Sequence, residues 1–246
     1  MEDTINELIK YFKEIKNKKL HISLRNGTTG IGYTFETLIG KKEDNNPLPD
    51  FKGIEIKTKR GYTITPLTLF CLTPKKDNDN AIKYLLNNYG YPSKTNEEYK
   101  DLKFNVACNR AKTVASKYIA KLKINKEKNK LILIISDKQF TNINKDIYWN
   151  LNDIKKRLES KLKYLAYIKG YPYQKNNETY YKYTNLEIYK LKSFENFIKL
   201  LEQNKIYITF NISMFKNEKR NGQIHDRGTA FKLKIDNLED LFERIY

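Results

Sequence analysis

The sequence is poor in residues that build covalent or metal-based frameworks. Its 246 residues include two cysteines, two histidines, two methionines and one tryptophan. Cys71 and Cys108 lack the paired spacing of a zinc site, and two thiols do not make a disulfide scaffold. We expect Cys71, which lies in an apolar run, to be a buried thiol. This cysteine usage is typical of a reducing, cytoplasmic compartment.

Long apolar runs are also missing, since no stretch approaches the ~20 residues of a membrane-spanning helix. The chain opens with the acidic residues Glu2 and Asp3 rather than with a secretory signal. A glycine-rich stretch, Gly27 to Gly32, lacks the Gly-Lys-Ser/Thr ending of a nucleotide-binding P-loop. A hydrophobic fraction of 39% with 13% aromatic residues predicts a folded core rather than disorder.

Positive charge is the strongest compositional signal. Lysine and arginine number 47 against 29 acidic residues, which gives a formal net charge of +18. A basic surface of this size favours a polyanionic partner, most commonly nucleic acid. The alternative is compositional drift, because an AT-rich coding sequence raises the lysine content without any function.

Periodicity predicts a chain of alternating helices and strands. Helical spacing marks residues 4–18, with Thr4 and Glu7 as a capping box, and marks 152–163 and a helix capped by Ser193. Apolar or alternating runs predict strands at 63–73, 114–124, 130–136, 163–168, 179–183 and 206–214. Residues 58–62 have the composition of a turn. We expect the strand that follows Pro49 to lie in the middle of a sheet.

The segment Leu48 to Lys57 carries the clearest chemical motif. Pro49 and Gly53 bound a turn, after which Ile54 and Ile56 point to one face of a strand and Glu55 and Lys57 to the other. Asp50 and Glu55 supply hard oxygen ligands for Mg²⁺. Lys57 beside them is suited to orient a water molecule and to offset developing negative charge. The alternative is a solvated edge strand with an ion pair.

Further candidate residues lie on both sides of this motif. Glu36, on a mostly apolar helix, is either a third acid aimed at the metal site or a charge at the helix N-terminus that interacts with the helix dipole. The basic segment 216–232 has side chains of the types that read base edges in the major groove, or it is a charged turn. Alternating Tyr and Lys in 179–183 suit base stacking or ordinary cross-strand aromatic pairing.

The ordered motifs resemble those of one family. Pro-Asp, a spacer and Glu-x-Lys form the signature of the PD-(D/E)XK nuclease superfamily. The full series resembles the MvaI/BcnI group of type II restriction endonucleases, which are related to the MutH mismatch-repair nickase. The residues that carry this resemblance are Gly30-Ile31-Gly32, Thr34-Phe35-Glu36, Pro49-Asp50-Phe51, Ile54-Glu55-Ile56-Lys57-Thr58, Leu67-Thr68-Leu69-Phe70, Asp137-Lys138-Gln139, Tyr148-Trp149, Lys161-Leu162-Lys163-Tyr164, Tyr180-Tyr181-Lys182-Tyr183 and His225-Asp226 with Gly228-Thr229-Ala230-Phe231.

The resemblance implies an α/β (α+β) core of mixed sheet flanked by helices, with two lobes that clamp duplex DNA. It implies a catalytic lobe at about 1–145 and a DNA-recognition lobe at about 146–246. In the implied site, Asp50 and Glu55 hold Mg²⁺, Lys57 completes the catalytic core and Glu36 supports it. The implied enzyme is a monomer that cuts each strand in turn within CCNGG-type sites and leaves a one-nucleotide 5′ overhang. A companion DNA methyltransferase is expected.

The base-reading segment departs from the family pattern. The family often has His-Asp-His-Gly-Thr-Ala-Phe-Arg, whereas Arg227 and Lys232 stand here at the second His and the Arg. The candidate DNA-binding residues are therefore Arg220, His225, Asp226, Arg227 and Lys232, and the target bases, the central pair above all, stay open. Two other functions remain: a MutH-like strand-specific nickase, and a DNA-binding module with an inactive nuclease site.

Overall fold

The computed structural model describes residues 1–42 and 48–246. Their helices are α1 Glu2–Asn17, α2 Gly30–Leu38, α3 Ala81–Tyr89, α4 Leu151–Leu162, α5 Phe194–Glu202 and α6 Leu238–Leu241, with 3-10 turns at Glu218–Arg220 and Ile235–Asn237. The strands are β1 His21–Ile22, β2 Ile54–Arg60, β3 Leu67–Cys71, β4 Tyr91–Ser93, β5 Asn96–Val106, β6 Lys112–Val114, β7 Tyr118–Asn125, β8 Lys130–Asp137, β9 Ile143–Asn150, β10 Tyr164–Lys175, β11 Glu178–Leu191, β12 Ile206–Met214, β13 Ile224–Asp226, β14 Ala230–Leu233 and β15 Phe242–Arg244.

These strands form three sheets. The first has the order β1-β11-β10-β2, with β15 also paired to β11. The second has the order β3-β14-β12-β5-β4, with β13 also paired to β12, and the third is β6-β7-β8-β9. The first sheet is mixed, because β10 is parallel to β2 and antiparallel to β11. The architecture is therefore the mixed α+β type that the sequence predicted.

The chain divides into two compact units. Unit 1 comprises Met1–Thr65, Glu159–Lys192 and Leu241–Tyr246, and unit 2 comprises Pro66–Leu158 and Ser193–Asp240. Both units are discontinuous in sequence, whereas the lobes expected at 1–145 and 146–246 are continuous segments. The assignment of catalysis and DNA recognition to those two lobes stays a prediction.

One face of the first sheet is covered by α1 and α2. The core of unit 1 joins Leu8 and Phe12 of α1, Phe35 of α2, and Ile54 and Ile56 of β2. Tyr181 and Tyr183 of β11 are buried in the same cluster. Cross-strand packing, not base stacking, therefore accounts for those two tyrosines, because their rings are inaccessible.

Several predicted elements are confirmed. Strand β12 has the predicted bounds, Ile206–Met214, because its apolar and polar residues alternate along the whole strand. The hydroxyl of Ser193 caps α5 by accepting a hydrogen bond from the backbone N–H of Asn196, at 3.1 Å. The hairpin of β7 and β8 also pairs as expected. Among the described residues, no helix is long and apolar enough to span a membrane.

Other predictions were wrong. Helix α1 begins at Glu2, so Thr4 lies inside its first turn and forms no capping box with Glu7. Residues 58–60 continue β2 because they pair with β10. Strand β5 was not predicted, although its apolar residues alternate near its end. Cys71 is exposed rather than buried because β3 ends there, while Cys108 is buried.

The position of β2 also differs from the prediction. Strand β2 ends the order of the first sheet, and β10 is its neighbour among the described strands. The next strand of the chain, β3, pairs with β14 in the second sheet. The motif strand is therefore an edge strand, which leaves its outer side uncovered by described strands.

Candidate active site

The turn before β2 positions the aspartate of the motif. Lys52 and Gly53 have φ angles of 45° and 93°, a combination that glycine adopts easily and that closes a tight two-residue turn. Phe51 and Ile54 exchange both backbone hydrogen bonds across it, at 2.9 and 2.8 Å. Asp50 therefore lies alongside the start of β2, where its Oδ2 accepts a hydrogen bond from the backbone N–H of Ile56 at 3.1 Å.

Glu55 is a buried carboxylate held between two ammonium groups. Its side chain is 1% exposed. Lys57 Nζ donates a hydrogen bond to its Oε1, which requires that Glu55 and Lys57 share a face of β2, as predicted. Nζ of Lys161, at the end of α4, lies 3.0 Å from its Oε2. That distance gives an ion pair, but Oε2 accepts no hydrogen bond with good geometry among the described groups.

Glu36 lies on α2, half-buried, and its carboxyl group feels the same charges. Burial, reinforced by the negative charge of Asp50 and of Glu55, raises its pKa from 4.5 to about 7, although the ammonium of Lys57 opposes this shift. The carboxyl group of Glu36 therefore interacts electrostatically with those of Asp50 and Glu55. The helix-dipole interpretation of Glu36 was wrong, because it requires a charge at the helix N-terminus, whereas Glu36 lies in the last turn of α2.

The acids suit a divalent cation. Mg²⁺ is bound in proteins by one or two carboxylates, completed by water and substrate phosphate. Asp50 and Glu55 are two carboxylates of this kind, and Oε2 of Glu55 has the ammonium of Lys161 at 3.0 Å but no hydrogen bond with good geometry. Within residues 1–42 and 48–246, no three His, Cys, Asp or Glu side chains form a ready metal-binding group. Two carboxylates alone would leave the other coordination positions of a cation to water and substrate.

A second polar group extends across the same face of the first sheet. Lys57 is in register with Tyr167 of β10, which is in turn paired with Glu187 of β11. Paired residues project to the same face, so the row runs from the candidate site into the sheet. The buried carboxylate of Glu187 accepts hydrogen bonds from Asn185 at 2.8 Å and Tyr189 at 2.9 Å.

Sequence reasoning missed the roles of Lys161 and Glu187. Lys161 lies more than 100 residues beyond Glu55, and nothing local connects the two side chains. The resemblance included Lys161 within a matching segment but assigned it no role. For Glu187 the available signal was a charged residue between two apolar residues, Leu186 and Ile188, in an otherwise buried strand.

In unit 2, two of the five candidate DNA-binding residues line an open groove on one face of the second sheet. The groove has a volume of about 1260 Å³, and His225 and Arg227 line it. The ring of Phe215 stacks on that of His225 at 4.3 Å, and the guanidinium of Arg220 lies 4.9 Å from the centre of the Phe215 ring. Arg220, Phe215 and His225 therefore form a layered stack at the edge of the groove.

The remaining candidates have structural contacts nearby. Asp226 accepts hydrogen bonds from the backbone N–H of Gly228 and the hydroxyl of Thr229, each at 3.0 Å, so its carboxylate shapes its own turn. Arg227 Nε donates to Ser213 at 3.1 Å. Lys232 of β14 pairs with Tyr207 on β12, outside the residues that line the groove.

The floor of the groove contains polar side chains that the sequence analysis did not single out. Thr209 and Asn211 alternate with buried residues of β12 and face the groove beside Asn105 and Lys103 of β5. Thr209 Oγ1, Asn211 Oδ1 and His225 Nδ1 are buried yet accept or donate no hydrogen bond among the described groups. Unsatisfied buried polar atoms cost free energy, so these three atoms require partners that the described groups do not supply, either water or a ligand.

A mixed sheet whose edge strand carries Glu55 and Lys57, with Asp50 in the turn before that strand, is typical of a nuclease-like α+β class, and the other unit has a polar groove. The chain matches the model of the MvaI/BcnI restriction endonuclease family over residues 9–242 and belongs to that family. The predicted resemblance and fold class are thereby confirmed. No curated protein sequence is significantly similar to the chain.

Two solved structures are similar over almost the whole chain. The structure of restriction endonuclease MvaI in complex with its cognate DNA substrate is 31% identical, with a TM-score of 0.88, and the match covers 99% of this chain and 98% of that chain. The structure of MvaI in the absence of DNA is also 31% identical, with a TM-score of 0.65, and the match covers 99% and 97%. The family match and these two structures therefore identify the chain as a restriction endonuclease of the MvaI/BcnI type.

Proposed function

We propose that the protein is a Mg²⁺-dependent type II restriction endonuclease that hydrolyses phosphodiester bonds of double-stranded DNA at a short, specific site. The observation that carries this proposal is the start of β2, where Asp50, Glu55 and Lys57 lie together and Glu36 interacts with them electrostatically. Asp50 and Glu55 are the proposed metal ligands. The basic net charge of +18 supports a polyanionic substrate.

Each residue of the candidate site has a defined task in this reaction. The carboxylates of Asp50 and Glu55 hold the cation, and their tight turn and buried strand keep them in place before substrate binds. When bound, Mg²⁺ supplies positive charge to the scissile phosphate and lowers the pKa of a nearby water molecule. The ammonium of Lys57 orients the attacking water and offsets the negative charge that develops on the phosphate.

Lys161 and Glu36 adjust the charge of this group. Two ammonium groups balance Glu55 while the cation is absent, which limits the cost of burying its carboxylate. Glu36 holds a proton more readily than an ordinary glutamate, so it is partly neutral near pH 7 until a cation restores its charge. Glu36 therefore supports the site rather than acting as its first ligand.

Sequence recognition is proposed for unit 2. His225 and Arg227 at the groove, with Arg220, Asp226 and Lys232 around it, have side chains of the types that read base edges or contact phosphates. Their grouping around a groove with unsatisfied polar atoms supports this role. Catalysis and recognition would then belong to different units of the chain.

The finer expectations of the family resemblance belong to the same proposal. They are a CCNGG-like target, action as a monomer that cuts one strand at a time, a one-nucleotide 5′ overhang and a companion methyltransferase. Arg227 and Lys232 differ from the family pattern at the base-reading segment, so the bases of the target are the part most open to change.

Digestion of a complete bacterial genome with Mg²⁺, followed by sequencing of the fragment ends, tests this proposal. We expect fragments whose ends share one short sequence and a one-nucleotide 5′ overhang, and no fragments when EDTA replaces Mg²⁺. Relaxed but unbroken plasmid would instead support a strand-specific nickase. DNA binding without any cleavage would support an inactive module.

Substitution of Asp50 by Asn separates metal binding from cleavage. The amide oxygen of Asn keeps the hydrogen bond from Ile56, so the turn is retained, but the charge that attracts a cation is lost. We expect Mg²⁺ to raise the melting temperature of the wild-type protein and to leave that of the Asp50→Asn variant unchanged. An equal Mg²⁺ effect on both proteins would contradict the proposed ligand.

A further inference from the structure

The outer face of the third sheet carries a dense group of lysines. A groove of about 780 Å³ on this face is lined by six lysines and only two aspartates. The lysines are Lys76, Lys121, Lys123, Lys128, Lys130 and Lys145. We call this surface the lysine face; it shares no lining residue with the polar groove of the second sheet.

The pairing of β7 and β8 explains how the lysines are presented. Lys121 is paired with Ile134, and Lys123 with Ile132, across the two strands. Paired residues project to the same face, so the aliphatic part of each lysine packs beside an isoleucine while its ammonium reaches solvent. The isoleucines therefore support the lysine stems, since the opposite face of these strands is buried core.

The charge of this face is not neutralised within the described part of the chain. Lys121, Lys123 and Lys145 are exposed, and no described carboxylate lies within 4 Å of their ammonium groups. Of the two aspartates, Asp77 already accepts a hydrogen bond from Tyr148 at 2.5 Å. Concentrated positive charge without internal partners is suited to an external polyanion.

We propose that the lysine face is a second DNA-binding surface, which contacts the phosphate backbone of duplex DNA without reading its sequence. Lys121 and Lys123 are two residues apart on one strand, a separation of roughly 6.8 Å. At that separation, the flexible lysine stems let the two ammonium groups contact different phosphates of one DNA strand. Lysine ammonium groups contact phosphates as point charges and confer no base preference.

Duplex DNA suits this surface better than single-stranded nucleic acid. Binding of single strands relies on aromatic rings that are free to stack on bases. The ring of Tyr148 is covered by the ammonium of Lys130, at 3.4 Å from its centre. That leaves Phe140 as the aromatic residue of this groove with an open ring among the described residues, which is too few for a stacking surface.

The role of this surface deepens the proposed nuclease function, on which it rests. A surface for non-specific binding lets an endonuclease associate with long DNA and move along it before the polar groove reaches its target. The affinity for DNA without target sites should then depend on these lysines, whereas the chemistry of the candidate active site should not.

The test measures salt dependence of binding to a fluorescent duplex in EDTA, so that no cleavage occurs. One variant carries Lys121→Gln, Lys123→Gln and Lys145→Gln. The matched control carries Lys10→Gln, Lys13→Gln and Lys16→Gln, three exposed lysines of α1 that change the net charge equally. We expect the slope of log K for DNA association against log salt concentration to become less negative by about 2–3 in the first variant. Each lost phosphate contact should contribute about 0.9 to this change.

Equal slopes for the two triple variants would overturn the proposal, because net charge alone would then explain binding. Preferential binding of single-stranded DNA or of polyglutamate, lost only in the first variant, would overturn the duplex assignment. Each single substitution should lower the slope by up to about 0.9, which keeps the test valid if the triple variant is unstable. A failure of the nuclease proposal would show separately, as intact binding without fragments in Mg²⁺.

Discussion

Nζ of Lys161 lies 3.0 Å from Oε2 of Glu55, while Lys57 occupies the other oxygen of the same carboxylate. A carboxylate that is 1% exposed is therefore balanced by two ammonium groups from different parts of the chain. A divalent cation carries the same charge as two lysines, so the proposed metal binding would be linked to the stability of unit 1.

Substitution of Lys161 by Met tests that link. Loss of one ammonium leaves Glu55 less well compensated, so we expect the free energy of unfolding without metal to fall by roughly 1–3 kcal/mol. Mg²⁺ should restore more of the melting temperature in this variant than it adds to the wild type. The control is Lys163→Met, because Lys163 is exposed. An identical response of both variants would contradict the link.

Substitution of Glu36 by Gln tests the raised pKa of that carboxyl group. The folded protein holds the proton up to about pH 7, whereas the unfolded chain releases it near pH 4.5. Between these values the folded state binds more protons, so this group makes stability fall as pH rises through the window. We expect Glu36→Gln to flatten that decline in metal-free urea unfolding curves. If the free energy of unfolding of the variant falls with pH as steeply as that of the wild type, another titrating group causes the decline.

Substitution of Glu187 by Leu tests the row of paired polar residues on the first sheet, Lys57, Tyr167 and Glu187. The change leaves donors of the half-buried Asn185 and the buried Tyr189 without their acceptor, which should cost about 1–3 kcal/mol in the free energy of unfolding. Glu187→Gln keeps an acceptor oxygen and should cost less. Chemical denaturation of the two variants decides this, and a Leu variant as stable as wild type would show that the network is not needed.

Substitution of Asn211 by Ala tests base reading by the polar groove. An unsatisfied amide on the groove floor is suited to pair with a base edge, and one good contact contributes about 1–3 kcal/mol of discrimination. We expect cleavage to tolerate other bases at one position of the target, measured by sequencing of fragment ends. Asn196→Ala, on α5 outside the groove, is the control. An unchanged target sequence would remove Asn211 from recognition.

Local patterns predicted local structure well. Strand β12 and the Ser193 cap were predicted because alternation and capping are properties of a few consecutive residues. The shared face of Glu55 and Lys57 follows from the two-residue period of a strand. The same period predicted that Ile54 and Ile56 share the opposite face, and the structure shows both of them in the core of unit 1.

Relationships between distant segments could not be predicted in this way. The edge position of β2 depends on β3 pairing with β14, which lies far along the chain. Gly30, in the glycine-rich stretch, begins α2, and a Cβ there would lie 2.6 Å from the hydroxyl oxygen of Tyr181 on β11, so only glycine fits. The convergence of Thr209, Asn211 and His225 likewise needs the pairing of β12 with β13.

The most direct test of the central claim is the single-turnover cleavage rate of a plasmid substrate in Mg²⁺ for wild type, Lys57→Ala and Lys13→Ala. Lys13 is an exposed lysine of α1 outside the candidate site, so its loss should leave the rate unchanged. Loss of Lys57 should lower the rate by about 10²–10⁴-fold while DNA binding persists. Equal rates for Lys57→Ala and wild type would contradict a catalytic site at the start of β2.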